Sequence, residues 1–226
     1  MKTKRSTILF VFVSVAFLLS SCGTIPIRKP LPQEFGDTAQ IPDIPRARFW
    51  GDAVPPFAKA VYGQSREKLM QEFPAVFGRE HNYLALSGGG ANGAFGAGLL
   101  AGWSAAGNRP EFAMVTGIST GALTAPFALL GPAYDAQLKE MYTTYSTKDL
   151  VIKRNILATI TGDSAVDTAP LKKMLAKYVN QQVMEAIAAE YKKGRRLWVG
   201  TTNLDAKRPV IWNIGLIASS GQPGAL

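Results

Sequence analysis

Residues Gly117-Ile118-Ser119-Thr120-Gly121 form the pattern G-x-S-x-G, in which two glycines flank a serine. An apolar run from Phe112 to Val115 precedes them, and a helical pattern from Ala122 to Leu130 follows. In this context the serine occupies a sharp strand-to-helix turn, and the glycines let neighbouring backbone approach where a Cβ would not fit. Ser119 is therefore the candidate nucleophile. Gly117 and Gly121 belong to the nucleophile elbow, the sharp turn that presents this serine. The alternative is a turn in which the serine only caps the helix.

A second glycine motif, Gly88-Gly89-Gly90-Ala91-Asn92-Gly93, follows the apolar strand pattern Tyr83 to Leu86 and precedes a helical pattern from Ala94 to Ser104. Free amides at a helix start bind anionic oxygen, either a phosphate or a developing oxyanion. The motif also matches the dinucleotide pattern G-x-G-x-x-G, which needs an acidic residue at the end of the second strand. Glu111 precedes that strand. A nucleotide-binding module stays an alternative, although it leaves the serine motif unexplained.

Strand and helix patterns alternate along the chain from His81 onward, which predicts an α/β fold with a central, mostly parallel sheet flanked by helices. Both glycine motifs then end adjacent strands at their carboxyl edges, where such sheets place their sites. Further helices are predicted at 65–73, 133–143, 155–161 and 168–193, the last with Thr168 as N-cap and a break near Asn180, and further strands at 197–202 and 210–212.

The chain has one cysteine and one histidine among 226 residues. This composition excludes a disulfide scaffold, a multi-cysteine zinc site and a histidine-clustered metal site, and we expect neither metal nor cofactor. His81 precedes the first strand, at the edge of the sheet opposite Ser119. We therefore expect a surface histidine and no Ser-His pair.

The cysteine stands at the end of an export signal. Lys2, Lys4 and Arg5 precede an apolar run too short to span a bilayer. The run ends in Leu19-Ser20-Ser21-Cys22, which resembles the bacterial lipobox. Residues 1–21 are thus predicted to be a lipoprotein signal peptide and Cys22 the site of lipid attachment. The resemblance favours the outer membrane, because Gly23 replaces the aspartate that would favour the inner one.

Residues 22–80 are predicted to comprise the lipid anchor, a proline-rich tether that runs to about Pro56, and a short helix. Residues 81–226 are predicted to form the N-terminal part of a hydrolase domain. The net charge is +9, and removal of the three signal cations leaves 22 − 16 = +6, a mild positive charge that suits anionic lipid head groups. Nucleic acid is a poor partner for an exported protein, so the expected partner is a membrane, reached through the N-terminal anchor.

With the two glycine motifs and almost no histidine, the sequence from Tyr83 onward resembles the patatin-like phospholipases. The resemblance implies a three-layer fold, a Ser-Asp dyad in place of a triad, and hydrolysis of phospholipids or other lipid esters without metal or cofactor. It assigns Ser119 as nucleophile and the amides of Gly88, Gly89 and Gly90 as the oxyanion hole.

The sequence departs from this family in two places. Asn92 stands where many members carry Arg or Lys in the glycine loop. No Asp-Gly-Gly or Asp-Gly-Ala motif follows Ser119, so we expect the dyad aspartate beyond Leu226, in a longer protein, and this chain alone to be inactive. Asp205 is the candidate base within the chain, although a turn role suits it better. The alternative function is a non-catalytic lipoprotein whose glycine loop binds anionic lipid head groups.

Overall fold

The computed structural model of the protein describes residues 31–153 and 166–222. Within these ranges the strands are β1 (Arg48–Trp50), β2 (Tyr83–Leu86), β3 (Met114–Ile118), β4 (Ile152–Lys153), β5 (Val166–Asp167), β6 (Arg196–Asn203) and β7 (Arg208–Asn213). The α-helices are α1 (Ala58–Tyr62), α2 (Arg66–Glu72), α3 (Gly93–Ala105), α4 (Thr120–Leu130), α5 (Asp135–Thr144), α6 (Thr147–Leu150), α7 (Ala169–Tyr178), α8 (Gln181–Lys192) and α9 (Ile214–Ser219). Short 3₁₀ helices lie at Gln33–Phe35, Gly90–Asn92 and Pro132–Tyr134.

A five-stranded sheet with the order β1-β7-β6-β3-β2 forms the centre of the fold. Strands β2, β3 and β6 are parallel, with Leu86 opposite Gly117 and Ile118 opposite Gly200. Strand β7 is antiparallel to β6, and β1 is antiparallel to β7. The carboxyl ends of β2 and β3 therefore meet at one edge, and both glycine motifs begin there.

One face of this sheet carries the hydrophobic core. Val115 of β3 and Leu197 of β6 are 0% exposed and belong to the same buried cluster as Phe127 of α4 and Ile187 of α8. Helices thus cover the apolar parallel strands, as such strands require. The predicted α/β class with a central, mostly parallel sheet flanked by helices is confirmed.

The opposite face is covered unevenly. Trp198 of β6 packs edge to face on Phe49 of β1, with ring centroids 5.5 Å apart. Over β2 and β3, however, Tyr83 and Ile118 are 64% and 57% exposed. Side chains alternate between the faces of a strand, so Tyr83 and Ile118 lie on the face opposite to Val115.

Two buried arginines hold the C-terminal end of α4. The first, Arg109, has a side chain only 1% exposed. Its Nη2 donates to the carbonyl oxygens of Phe127 and Ala128 at 3.2 and 3.0 Å, and its Nη1 donates to Asp135 at 2.8 Å. The Phe127 carbonyl oxygen also accepts from the Gly131 amide at 3.0 Å. Arg109 thus adds a second donor there, supplies a donor to the Ala128 carbonyl and places a cation at the negative end of the helix dipole.

Arg195, which directly precedes β6, also donates hydrogen bonds to the C-terminal end of α4. Its Nη2 donates to the Leu129 carbonyl oxygen at 2.6 Å and its Nε to that of Phe112 at 2.8 Å, while its Nη1 pairs with Glu190 at 2.7 Å. Burial opposes ionisation of Glu190, but hydrogen bonds from Lys193 and Arg195 outweigh it and lower the pKa of Glu190. The carboxylate therefore stays charged opposite Arg195, and α4 is anchored firmly at this end.

Several local predictions are confirmed. The predicted strand at 83–86 is β2 residue for residue, and the helices predicted at 94–104 and 122–130 are α3 and α4. Ser65 caps α2, with its Oγ accepting a hydrogen bond from the Lys68 amide at 3.3 Å. Asn180 separates α7 from α8 where the break was expected, and its side chain caps α8 by accepting from the Val183 amide at 3.1 Å.

Other predictions differ from the structure. The strand expected at 112–115 begins at Met114 and runs to Ile118. Phe112 is 3% exposed but lies outside the sheet, where it packs on Trp103. Thr168 occupies the predicted N-cap position of α7, with Pro170 in the first turn, but its side chain makes no capping hydrogen bond. The helix expected at 155–161 lies outside the described residues.

The proline-rich segment contributes more than the extended tether expected up to Pro56. Arg48–Trp50 pairs with β7 as an edge strand. Ile44 and Ala47, which are 2% and 0% exposed, pack with Ile217 of α9 in a second small core. The part of this segment from Ile44 to Trp50 is thus folded onto the sheet.

Strands β4 and β5 form a separate antiparallel pair, with Ile152 opposite Asp167. In the ranges that the structure covers, every helix is too short or too polar to cross a bilayer. Cys22 and the predicted signal peptide lie outside those ranges.

Candidate active site

Ser119 lies at the junction between β3 and α4, with φ of 53° and ψ of −122°. A positive φ is unfavourable for any residue with a Cβ and costs about 1–3 kcal/mol unless the surrounding structure holds it. The side chain is exposed and makes no capping hydrogen bond to α4. The alternative in which Ser119 serves only as a helix cap is therefore wrong. The strained turn instead presents the hydroxyl to solvent.

The two glycines of the pentapeptide allow three backbone segments to meet at this turn. A Cβ on Gly117 would lie 2.5 Å from the Gly121 carbonyl oxygen. A Cβ on Gly121 would lie 2.3 Å from the carbonyl oxygen of Leu86, the last residue of β2. Both distances are far inside van der Waals contact with backbone atoms, so neither position has room for a side chain.

The glycine loop lies directly beside Ser119. A Cβ on Gly88 would be 3.1 Å from the Ser119 Cβ and 3.8 Å from its Oγ. Gly90 has a φ of 55°, a conformation that favours glycine. Within the described part of the chain, the amides of Gly88, Gly89 and Gly90 donate no hydrogen bond. The structure therefore brings together the predicted nucleophile and loop, and the loop amides are available to an anionic oxygen.

Thr120 connects the two glycine motifs. A Cβ on Gly93, the first residue of α3, would lie 2.1 Å from the Thr120 Oγ1. The missing side chain of Gly93 thus makes room for the threonine. The hydroxyl of Tyr142 on α5, a residue not predicted from the sequence, contacts Thr120 and Thr124. No local pattern marks such a residue, because it reaches this turn only through helix packing.

The other candidate residues lie elsewhere. His81 is exposed and precedes β2, at the opposite edge of the sheet. Asp205 lies in the turn between β6 and β7, where its amide donates to the Asn203 Oδ1 at 3.0 Å, and this turn role agrees with the sequence analysis. Asp135 pairs with Arg109 at 2.8 Å. Of the residues that the structure describes, none forms a hydrogen bond with the Ser119 hydroxyl.

In the same part of the chain, no three His, Cys, Asp or Glu side chains converge as they would around a metal ion. Asn92 is exposed and precedes α3 without capping it. The loop therefore carries no cation of its own.

A parallel sheet whose carboxyl edge carries a strained serine turn and a glycine loop defines an α/β protein of the hydrolase class. Residues 84–220 match the family model of the patatin-like phospholipases. The match covers more than half of the chain, and the protein belongs to the patatin-like phospholipase family of lipid acyl hydrolases. Neither a curated protein nor a solved structure matches the chain.

Proposed function

We propose that the protein cleaves acyl esters of phospholipids or related lipids, with Ser119 as the nucleophile. The observation that carries this proposal is the backbone of Ser119, held at a φ of 53° beside the glycine loop. Strained backbone of this kind persists where the surrounding structure enforces it, and it concentrates at active sites. Membership of a lipid acyl hydrolase family supports the same conclusion.

In the proposed reaction the Ser119 Oγ attacks the ester carbonyl carbon while its proton passes to a carboxylate base. The amides of Gly88, Gly89 and Gly90 stabilise the oxyanion, and one such donor typically contributes about 3–4 kcal/mol. Collapse of the tetrahedral intermediate transfers the proton to the departing alcohol and leaves an acyl-serine. Water activated by the same base then releases the fatty acid and restores the Ser119 hydroxyl.

The base in this proposal is an aspartate that pairs with Ser119 as a dyad. We place it after Leu226, because no aspartate between Ser119 and Leu226 stands in an Asp-Gly-Gly or Asp-Gly-Ala motif. On this proposal the catalytic domain, which we begin at His81, continues past the present chain, and residues 81–226 alone are inactive.

The surroundings of the site support a lipid substrate. Phe95 and Leu99, one turn apart on α3, are 78% and 57% exposed, and Ile118, next to the serine, is 57% exposed. No charged residue occurs between Asn82 and Asn108. An apolar, uncharged surface on the helix that follows the glycine loop suits acyl chains and avoids repulsion of lipid phosphates.

We expect a Phe95→Ser/Leu99→Ser double variant to hydrolyse phospholipid in vesicles at least about tenfold more slowly, because burying each side chain in lipid contributes about 1.5–3 kcal/mol. Hydrolysis of a water-soluble short-chain ester should change by less than about twofold, since the catalytic groups are untouched. The control is Tyr62→Ser on α1, which removes another large apolar side chain, 85% exposed. Equal losses on both substrates would contradict a role in lipid contact.

We also propose that the mature protein is a lipoprotein anchored through Cys22 in the outer membrane, with residues 1–21 removed and the proline-rich residues before Ile44 linking the anchor to the sheet. Because lipid attachment requires a thiol and Cys22 is the only cysteine between Met1 and Leu226, Cys22→Ser should abolish metabolic labelling by a clickable fatty acid. Ser119→Ala should label normally, and retained labelling of Cys22→Ser would exclude this anchor.

A second candidate function is a non-catalytic lipoprotein that binds anionic lipid head groups. The observation in its favour is the exposed glycine loop, whose first three amides have no acceptor in the described ranges. This second function differs from hydrolysis in one respect: binding of head groups does not require the Ser119 hydroxyl.

A further inference from the structure

Three hydroxyl groups meet behind the first turn of α4. The Tyr142 Oη lies 2.8 Å from the Thr120 Oγ1 and 2.9 Å from the Thr124 Oγ1. It also donates to the Thr120 carbonyl oxygen at 2.9 Å. Thr120 and Thr124 are 7% and 2% exposed, so these polar groups are shielded from water.

The three hydrogen bonds of the Tyr142 hydroxyl can be formed at once, whereas the 3.4 Å bond from the Thr124 Oγ1 to the Thr120 carbonyl oxygen is an alternative use of the Thr124 proton. A phenol has one proton to donate and two lone pairs to accept. Tyr142 gives its proton to the Thr120 carbonyl oxygen and accepts the protons of both threonine hydroxyls. Since unmade hydrogen bonds in a buried site are costly, the cluster favours one arrangement of the turn.

Thr120 transmits this arrangement to both glycine motifs. It follows Ser119 directly in the chain, and its side chain fills the space left by the missing Cβ of Gly93. A movement of Thr120 would shift Ser119 on one side and the start of α3, with the glycine loop, on the other. The distance between nucleophile and loop therefore depends on the hydroxyl that holds Thr120.

We infer that Tyr142 is a positioning residue, which holds Ser119 in register with the glycine loop through Thr120. This inference rests on the proposed function, because it assigns Tyr142 a role in the hydrolysis at Ser119. In the described part of the chain the Tyr142 hydroxyl bonds to Thr120 and Thr124 and not to Ser119, so it acts by restricting the turn between β3 and α4.

The test is Tyr142→Phe in the full-length protein, with hydrolysis of a short-chain ester and the rate of fluorophosphonate labelling as readouts. We expect kcat and the labelling rate to fall at least about tenfold while KM changes by less than about twofold, since small displacements of reacting groups lower rates strongly. Thr120→Val should reproduce the loss and Thr120→Ser should restore the rate. Tyr142→Phe combined with Thr120→Val should be no worse than either alone.

The matched control is Tyr178→Phe, which removes a hydroxyl that donates to Glu140 at 2.8 Å and lies away from the serine turn. It should leave kcat unchanged. Equal effects of Tyr142→Phe and Tyr178→Phe, or an unchanged kcat in Tyr142→Phe, would overturn the inference.

Amide hydrogen exchange separates this inference from the proposed function. Exchange in the first turn of α4 should accelerate in Tyr142→Phe and not in Tyr178→Phe, whether or not the protein is an esterase. If Ser119 of the wild-type protein is not labelled, the proposed function fails. If exchange in that turn is unchanged, the positioning role fails.

Discussion

Replacing Ser119 with alanine is expected to lower ester hydrolysis by at least about 10³-fold, because no other group can form the acyl-enzyme at this turn. The fold should persist. Alanine lacks only the hydroxyl, and that hydroxyl makes no hydrogen bond in the described part of the chain. Both residues carry a Cβ, so the strain at a φ of 53° is common to both.

The measurement is fluorophosphonate labelling of the full-length protein together with hydrolysis of a phospholipid and a short-chain ester. Ser219→Ala serves as the matched control, since its hydroxyl only bonds back to the Gly215 carbonyl oxygen at 2.8 Å. Labelling should vanish in Ser119→Ala and persist in Ser219→Ala. Persistent labelling of Ser119→Ala would refute the assignment of the nucleophile. An unlabelled wild-type protein that still binds anionic vesicles would favour the non-catalytic lipoprotein.

Gly121→Ala is expected to cause the largest loss of stability, at least about 3 kcal/mol in the free energy of unfolding. The added Cβ would lie 2.3 Å from the Leu86 carbonyl oxygen and 2.7 Å from its carbonyl carbon. These are backbone atoms at the end of β2, so no side-chain rotation can relieve the overlap. Either β2 or α4 must move, and both hold the glycine loop against Ser119.

Gly102→Ala provides the control for this prediction. Gly102 lies within α3, and a Cβ there would meet nothing within 4 Å. Alanine should therefore stabilise the helix by up to about 1 kcal/mol. Denaturant unfolding of both variants, monitored by far-ultraviolet circular dichroism, measures the difference. A Gly121→Ala protein as stable as Gly102→Ala would show that the three segments do not meet as described.

Local signals predicted most of the elements that carry the site. The apolar run at 83–86 and the glycines after it define a short strand and a loop without reference to the rest of the chain. The same holds for the turn at Ser119, because glycine at both flanking positions is a requirement of the backbone itself. Ser65 and Asn180 mark helix starts for a similarly local reason, since each side chain bonds to an amide three residues ahead.

Elements that depend on distant partners were not predicted. Arg48–Trp50 is three residues long and is a strand only because β7 lies beside it. The start of β3 was misplaced because Phe112 is apolar for another reason, its contact with Trp103. A short apolar run does not reveal whether it packs within a sheet or next to it.

For the site, the sequence by itself determined which groups can do chemistry and in what order they follow the strands: Ser119, its flanking glycines, and the loop Gly88-Gly89-Gly90. Only the tertiary structure decided that Gly88 lies against Ser119, that the buried arginines Arg109 and Arg195 hold the far end of α4, and that Tyr142 reaches Thr120. The physical reason is the distance along the sequence over which each kind of interaction acts. Glycine patterns and helix caps act within a few residues, whereas these contacts join residues that lie 18 to 66 positions apart along the chain and meet only when the core packs.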